Sequence, residues 1–325
     1  MNITFLIGNG FDINLGLQTR YIDFCNHYIE RISEEEQIKK FKHDIKKNKE
    51  EWSYFESTLG KYTVELSNVD DYLIIHRDVI RELKDFLSAK KSISIDYRSL
   101  KEHFSTDFIF PERRLSPRDM NEIGIFRSWW RNYEIQLNII SFNYTDTVEK
   151  IIGDGLSNIG GTSSRLSQIK HIHGSLDGNM TVGVNDIDQI ENKEFRKSVK
   201  IKQVLVKPDY NSRLGHLIDV ECDKLIENSN IICLFGLSLG DTDKRWWEQV
   251  GKTILNSSHS ILIIFEKGVE IDPNMKFDSF DKEDLVKDKF IQKSGLTKLN
   301  ADQLESVKKK IYVGYNTDLF KVNEN

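Results

Sequence analysis

Short continuous apolar runs rich in β-branched residues are the feature that most limits how this chain can fold. Ile231–Phe235 is followed directly by Gly236, and Ile3–Ile7 is followed by the turn residues Gly8-Asn9-Gly10. A continuous apolar run bounded by turn residues is typical of a strand that is buried on both faces of a parallel sheet. Runs of this length are too short to cross a bilayer. We therefore predict that both segments are central strands of a buried sheet.

Further strand-like runs alternate with helical patterns along the rest of the chain. The predicted strands are Ile3–Ile7, Leu137–Phe142, Ile169–Ile172, Thr181–Val184, Ile231–Phe235, Ser260–Phe265 and, as a final edge strand, Ile311–Tyr315. Helical periodicity is clearest in Leu217–Glu227 and Lys244–Leu255, and it returns in the charged stretch from Asp281 to Lys310. This alternation predicts an α/β, Rossmann-like fold with a mostly parallel sheet and helices on both faces.

The stretch between the first two predicted strands has a different pattern of apolar and charged residues. Phe41, Ile45, Phe55 and Leu59 recur at helical spacing with charged residues between them, and Tyr72–Leu87 repeats the pattern. Strand-like runs are scarce here. We predict a single domain over residues 1–325 that carries a large helical insertion, residues 19–135, after the first strand and turn.

Composition excludes several classes of protein. The 325 residues carry a formal net charge of -5, with 46 Lys and Arg closely matched by 51 Asp and Glu, so the charge does not indicate a nucleic-acid binder. The three cysteines lie far apart, which argues against a disulfide framework. The amino terminus lacks the basic and long apolar regions of a signal peptide. We expect a soluble cytoplasmic protein without membrane contact.

The turn Gly8-Asn9-Gly10-Phe11-Asp12 follows the first predicted strand directly. Two glycines let a backbone approach a phosphate closely, and the next helix would direct its N–H groups toward it. Ile13 stands where the dinucleotide fingerprint has a third glycine, and no Gly-Lys-Ser/Thr follows for a Walker loop. A tight turn capped by Asp12 is the alternative interpretation of the same residues.

Ser141-Phe142-Asn143-Tyr144-Thr145 lies at the carboxyl end of another predicted strand, which is the sheet edge where open α/β folds bind ligands. Asn143 offers both a donor and an acceptor, which suits ribose hydroxyls. The alternative is that Asn143 caps the following helix, a role that Thr145 or Asp146 could equally fill.

His171 and His173 are two positions apart on a strand-like run, so both side chains are expected on one face. Structural histidines are one interpretation. A metal site is another, but the sequence identifies no further ligands, and we predict no metal. A general base is the third, because imidazole titrates near neutral pH. His173, next to Gly174-Ser175, is the preferred catalytic histidine.

Gly236-Leu237-Ser238-Leu239-Gly240 matches the Gly-x-Ser-x-Gly of a hydrolase nucleophile elbow. His259 is the one histidine that follows Ser238, and the sequence between them leaves little room for an acid strand. The alternative is a turn whose small residues admit a ribose or phosphate, with Asp241 or Asp243 capping the next helix. Trp246 and Trp247 are expected to pack on the sheet.

Taken together, these motifs resemble those of the bacteriophage abortive-infection family AbiH. The similarity covers their order as well as their content, and it spans nearly the whole chain: Leu-Ile-Gly-Asn-Gly-Phe-Asp-Ile-Asn-Leu-Gly-Leu, Ser-Phe-Asn-Tyr-Thr, His-Ile-His-Gly-Ser and Gly-Leu-Ser-Leu-Gly-Asp-Thr-Asp. That family is distantly similar to sirtuin-like NAD-binding domains. The chain lacks the four-cysteine zinc module of sirtuins, which argues against protein deacylation, and it has Thr145 where their ribose motif is acidic.

The resemblance implies a role for individual residues. Gly8, Gly10 and Asp12 would line the phosphates, Asn143 would hold the nicotinamide ribose, and His173 would match the catalytic histidine. Gly236 and Ser238 would meet the adenosine side of the ligand. The other residues expected to line the same site are Asn9, Phe11, Ser141, Tyr144, His171 and Asp241.

The implied activity is an antiphage NAD glycohydrolase, with NAD as substrate or ligand, His173 as general base and Asn143 orienting ribose and water. A non-catalytic nucleotide-binding sensor of infection is an alternative. A metal-dependent nuclease using His171, His173, Asp241 and Asp243 is a weaker one. A phage-derived trigger and homo-oligomerisation are both compatible with the sequence, which identifies neither.

Overall fold

Six parallel strands form a single sheet in the computed structural model, which describes residues 1–90, 95–153, 155–156, 158–215, 217–270 and 276–322. The strands are β1 (Asn2–Ile7), β2 (Ile135–Ser141), β3 (Ser164–His171), β4 (Ile231–Phe235), β5 (Ile261–Glu266) and β6 (Ile311–Tyr315). Their order across the sheet is β3-β2-β1-β4-β5-β6. The predicted parallel α/β fold with a helical segment between the first two strands is confirmed.

Helices occupy most of the remaining described chain. Their bounds are α1 (Gly10–Asn14), α2 (Tyr21–Glu30), α3 (Glu36–Lys47), α4 (Phe55–Tyr62), α5 (Val69–Lys90), α6 (Tyr97–Ile109), α7 (Pro117–Ser128), α8 (Thr147–Ile152), α9 (Lys193–Lys197), α10 (Val199–Leu205), α11 (Lys207–Arg213), α12 (Ile218–Glu227), α13 (Lys244–Asn256), α14 (Lys276–Lys293) and α15 (Ala301–Lys308). Short 3₁₀ turns lie at Glu51–Tyr54, Thr63–Glu65, Pro111–Arg114, Ile187–Gln189, Asp241–Asp243 and Leu296–Lys298.

Alternation along the strands sends apolar side chains to both faces of the sheet. In β1, Phe5 packs in one apolar cluster and Leu6 packs in another on the opposite face. The cluster around Phe5 is completed by α6 and α8, and the cluster around Leu6 is completed by α12 and α13. Because both faces are covered, the central strands are apolar throughout, which is why their runs were recognisable in the sequence.

A third apolar cluster lies apart from both faces of the sheet. It is built from α2–α5 together with a second segment, residues 176–206, that follows β3. We call residues 21–90 and 176–213 the helical body. Helices α6 and α7 belong elsewhere, since Phe104 and Ile123 pack against the sheet. The segment between β1 and β2 therefore contributes to two different cores.

The strand predicted at Thr181–Val184 is wrong. Val184 forms only an isolated bridge with Val206, and residues 180–183 are assigned to no strand. Val182 and Val184 are buried in the core of the helical body, which is the physical reason for their apolar character. A short β-branched run signals burial, and in this case the burial is against helices.

Strand order reverses between β1 and β4, and the turns after these strands touch through their backbones. The Gly8 amide donates to the Phe235 carbonyl at 2.9 Å, and the Gly10 amide donates to the Gly236 carbonyl at 2.9 Å. A Cβ on Gly10 would lie 2.4 Å from the Cα of Gly236. Gly236 itself has φ of +68°, a conformation that favours glycine. Both glycines are therefore required by the contact between the two turns.

Among the described helices, none combines the length and the apolar character needed to cross a membrane.

Substituting Gly10→Ala should destabilise the protein by about 1–3 kcal/mol, because the added methyl group collides with backbone. Gly124→Ala is the matched control, since Gly124 is exposed in α7 and its Cβ would meet nothing within 4 Å. There the same change should stabilise by up to about 1 kcal/mol through helix propensity. Urea unfolding of both variants measures the difference. Equal midpoints would show that the turn contact is not tight.

Candidate functional site

A cluster of buried ionisable side chains lies between the carboxyl edge of the sheet and the helical body. The ammonium of Lys207 is 2.8 Å from Glu56 Oε2 and 3.1 Å from Asp243 Oδ1. The same Asp243 oxygen is 3.0 Å from Nε2 of His173. The Lys207 and Glu56 side chains are only 6% and 8% exposed, so the cluster is shielded from solvent. We call these four residues the ionic cluster.

Each member of the ionic cluster is positioned by a different element. His173 lies two residues beyond β3, and Asp243 ends the 3₁₀ turn after β4. Glu56 is in the first turn of α4, and Lys207 is the first residue of α11. Two members therefore come from the sheet edge and two from the helical body, so the cluster forms only where the two parts meet.

Pairing sets the charge states within the ionic cluster. Burial of Asp243 opposes its ionisation, but the neighbouring Lys207 and His173 outweigh burial and lower the pKa of Asp243. Burial likewise opposes the charge on Lys207, but Asp243 and Glu56 outweigh it and raise the pKa of Lys207. Asp243 is thus a carboxylate and Lys207 an ammonium at neutral pH, each stabilised by the other.

Aromatic rings hold the imidazole of His173. The Phe142 ring meets it edge to face with 5.6 Å between centroids, and the Tyr144 ring lies 6.5 Å away. Phe142 in turn stacks on Trp247 at 5.4 Å, and the indole N–H of Trp247 donates to the Gly240 carbonyl. Trp247 thus packs in the protein core, as the packing interpretation expects.

Asn143 faces the first turn rather than His173. Its Nδ2 donates to the Gly8 carbonyl at 3.1 Å, while Ser141 Oγ accepts from the Asn143 amide at 3.2 Å. Its Oδ1 is buried, and within the described chain it has no hydrogen-bond partner. An unpaired buried acceptor is costly, and a ligand hydroxyl that donated to it would remove this cost.

Asp12 connects the first and second motifs. Its Oδ2 accepts from Thr145 Oγ1 at 2.6 Å, and the residue is 1% exposed. Burial raises the pKa of Asp12 from 3.8 to about 6, although hydrogen bonds with Thr145 and Thr147 oppose the shift. Thr145, the residue that departs from the sirtuin motif, is therefore the partner of this carboxyl group.

His171 and His173 engage separate partners. Strand β3 ends at His171, so the alternation that would place both side chains on one face stops there. His171 Nδ1 lies 2.7 Å from the Asn143 carbonyl, and its Nε2 lies 2.5 Å from Glu149. Burial lowers the pKa of His171, but Glu149 outweighs burial and raises it. His171 supports the Asn143 turn, and His173 belongs to the ionic cluster.

The turn after β4 does not assemble a serine triad. Ser238 is exposed at the carboxyl edge of the sheet, whereas His259 precedes β5 at the amino edge and packs against Trp129 and Trp130. Asp241 pairs with Lys293 at 2.7 Å on the surface.

The four residues considered for a metal-dependent nuclease belong to three separate ion pairs. These pairs are His171 with Glu149, His173 with Asp243, and Asp241 with Lys293. Among the described residues, no group of three or more His, Cys, Asp or Glu side chains is arranged to hold a metal ion.

Two cavities lie away from the ionic cluster. One of about 290 Å³ is lined by residues of α2 and α5, including Asn26 and Phe86. The other, of about 460 Å³, is lined by Trp129, Trp130 and His259 at the amino edge of the sheet. Neither has chemistry comparable to the ionic cluster, which is filled by its own side chains.

Comparison with known families identifies the family of this chain. The sequence matches the family described as bacteriophage abortive infection AbiH over residues 4–265. The chain belongs to the AbiH family. It is therefore an antiphage abortive-infection protein. The match spans β1 to β5 and includes all of the ionic cluster. No curated protein matches the sequence.

Glu56 and Lys207 are the site residues of this AbiH family member that sequence reasoning missed. Glu56 lies in the helical segment, where charged residues are frequent, and Lys207 follows the apolar pair Leu205-Val206. Neither lies in a recognisable motif. A lysine directly after a buried apolar pair and before Pro208 is the one weak signal that the sequence offers.

The raised pKa of Asp12 predicts a specific pH dependence of stability. Between pH of about 4 and 6, folded Asp12 keeps a proton that the unfolded chain releases, so its contribution to stability falls as pH rises. The full effect is roughly 3 kcal/mol. Asp12→Asn should remove this component, whereas Asp85→Asn, at an exposed position of α5, should leave it intact. Urea unfolding across this pH window measures it, and parallel profiles for wild type and Asp12→Asn would contradict the assignment.

Proposed function

We propose that this AbiH family member binds NAD and hydrolyses it to nicotinamide and ADP-ribose. The observation that carries the proposal is the pair of buried His173 and partly buried Asp243, 3.0 Å apart at the carboxyl edge of a sheet with the order β3-β2-β1-β4-β5-β6. Ligands of open α/β sheets bind at this edge, near the point where strand order reverses. An imidazole oriented by a carboxylate is suited to accept a proton there.

The reaction places modest demands on the protein. The bond between C1′ of the ribose and the nicotinamide nitrogen breaks, and its electron pair neutralises the cationic ring of the leaving group. Water adds to the oxocarbenium-like carbon, and its proton passes to the base. The protein must hold the ribose, admit one water in line and accept that proton.

His173 would act as the general base through Nδ1. Its Nε2 lies 3.0 Å from Asp243 Oδ1 and 3.4 Å from Lys207 Nζ, and in the tautomer whose Nε2–H donates to the nearer carboxylate, Nδ1 is the acceptor. Lys207 holds the same carboxylate oxygen and keeps Asp243 ionised. The role is analogous to that of the aspartate that orients histidine in hydrolase triads.

Asn143 would bind the nicotinamide ribose and orient the attacking water. Its buried Oδ1 lacks a partner within the described chain, and a ribose hydroxyl would supply the missing donor. The amides of Gly8 and Gly10 already donate to carbonyls of the β4 turn. These amides are therefore not free to bind phosphate. Gly8 and Gly10 would instead contribute by leaving a backbone surface without side chains, over which the phosphates would lie.

Consumption of NAD would stall an infected cell, and a constitutively active enzyme would harm its host. The compactness of the ionic cluster favours a latent resting state, since its own side chains fill the space around His173. The same observation favours a second function, in which the protein senses a nucleotide without turnover. Nucleotide binding without nicotinamide release under any trigger would support that sensor.

Substituting His173→Gln should lower NAD hydrolysis by roughly 10²–10⁴-fold, which is the usual contribution of a general base. His259→Gln is the control, because His259 lies at the opposite edge of the sheet and packs against Trp129. Nicotinamide and ADP-ribose released by the purified protein, with and without lysate of phage-infected cells, are quantified. Turnover that survives His173→Gln would refute the role of His173, even if the activity itself is confirmed.

A further inference from the structure

We propose that the carboxylate of Glu56 occupies an anion-binding position in the ionic cluster, and that a phosphate group of the ligand takes this position when Glu56 withdraws. The inference rests on the proposed nucleotide-binding function and extends it to a residue outside every recognised motif. It assigns Lys207 as the phosphate-binding side chain of the site.

Two donors face the Glu56 carboxylate. Lys207 Nζ lies 2.8 Å from its Oε2, and the Gly183 amide donates to its Oε1 at a long 3.5 Å. The Tyr144 hydroxyl is not one of them, because it donates to the Thr181 carbonyl at 2.9 Å. An ammonium and a backbone amide can together bind an anion, and a phosphate has more acceptor oxygens than a carboxylate.

Glu56 is the carboxylate that can leave. Asp243 contacts both Lys207 and His173, and it follows directly from the sheet edge. Glu56 is carried by α4 of the helical body, and its one strong charged contact is with Lys207. A displacement of α4 would free Lys207 on one side while Asp243 continued to hold it on the other.

The position of Lys207 at the sheet edge is compatible with a phosphate. Asn143 and His173 follow the neighbouring parallel strands β2 and β3, and Lys207 Nζ lies 3.4 Å from His173 Nε2. In a nucleotide the ribose carries its phosphate on the 5′ carbon. A nucleotide whose ribose bound Asn143 Oδ1 would direct this phosphate toward Lys207.

A purely structural salt bridge would behave differently. It would pin the helical body to the sheet, and its loss would lower stability without changing ligand affinity. Glu56→Gln separates the two roles, since the amide keeps the size of the side chain and removes its charge. Glu36→Gln is the matched control, because Glu36 forms a 2.8 Å pair with Lys39 on the exposed surface of α3.

The experiment is calorimetric titration of wild type, Glu56→Gln and Glu36→Gln with ADP-ribose, inorganic pyrophosphate and adenosine. For Glu56→Gln we expect the Kd of ADP-ribose and pyrophosphate to fall about tenfold, since one competing charge-assisted hydrogen bond is removed. Adenosine, an uncharged nucleoside without phosphate, should show no change. Glu36→Gln should match wild type with every probe.

A second variant keeps the proposal falsifiable if Glu56→Gln alters stability. Glu56→Gln combined with Lys207→Gln removes both charges of the pair and should lose the gain in affinity for the phosphate probes. An equal gain for adenosine, an unchanged Kd for ADP-ribose, or no binding of either phosphate probe to Glu56→Gln would overturn the anion site.

The outcome is independent of hydrolysis, because ADP-ribose and pyrophosphate are bound without turnover. Tighter binding of ADP-ribose by Glu56→Gln with stable NAD would support the anion site and contradict the proposed activity. Hydrolysis of NAD with no effect of Glu56→Gln on phosphate affinity would support the proposed activity and contradict the anion site.

Discussion

The backbone contact between the turns after β1 and β4 is the constraint on which the rest of the structure depends. In open α/β sheets a crevice normally forms where strand order reverses, and ligands enter it. Here Gly10 lies against Gly236, and successive amides and carbonyls of the two turns are paired. Backbone atoms of the two turns therefore fill the base of the crevice. Under the proposed function, the ligand would therefore be bound by side chains beyond β2 and β3, where Asn143 and His173 lie.

The ionic cluster couples the chemistry of the sheet edge to the helical body. Transfer of charged groups into a protein interior is costly, and only close pairing compensates for it. Asp243 remains ionised because Lys207 and His173 contact it, and Lys207 remains charged because Glu56 contributes a second carboxylate. Both groups can thus keep their charge in the interior because docking of the helical body against the sheet brings Lys207 and Glu56 to Asp243.

Sequence patterns predicted the sheet well because each central strand is buried on both faces and reads as an apolar run. The same logic failed at Thr181–Val184, where burial against helices produces an identical run. His173 could be singled out as a candidate because it lies in a motif directly after a strand. Glu56 and Lys207 were not found, since their significance arises from a contact between residues 151 positions apart. No local pattern encodes such a pairing.

The helical body has a consequence for how this protein is made. Its apolar core joins residues 21–90 to a segment that emerges from the ribosome only after β2 and β3 have been synthesised. Contacts of such long range slow folding. Until the later segment is synthesised, the apolar surface of the early helices stays exposed. During that interval the nascent chain lacks Lys207 and Asp243. A partly synthesised copy of this defence protein would therefore be unable to assemble the ionic cluster.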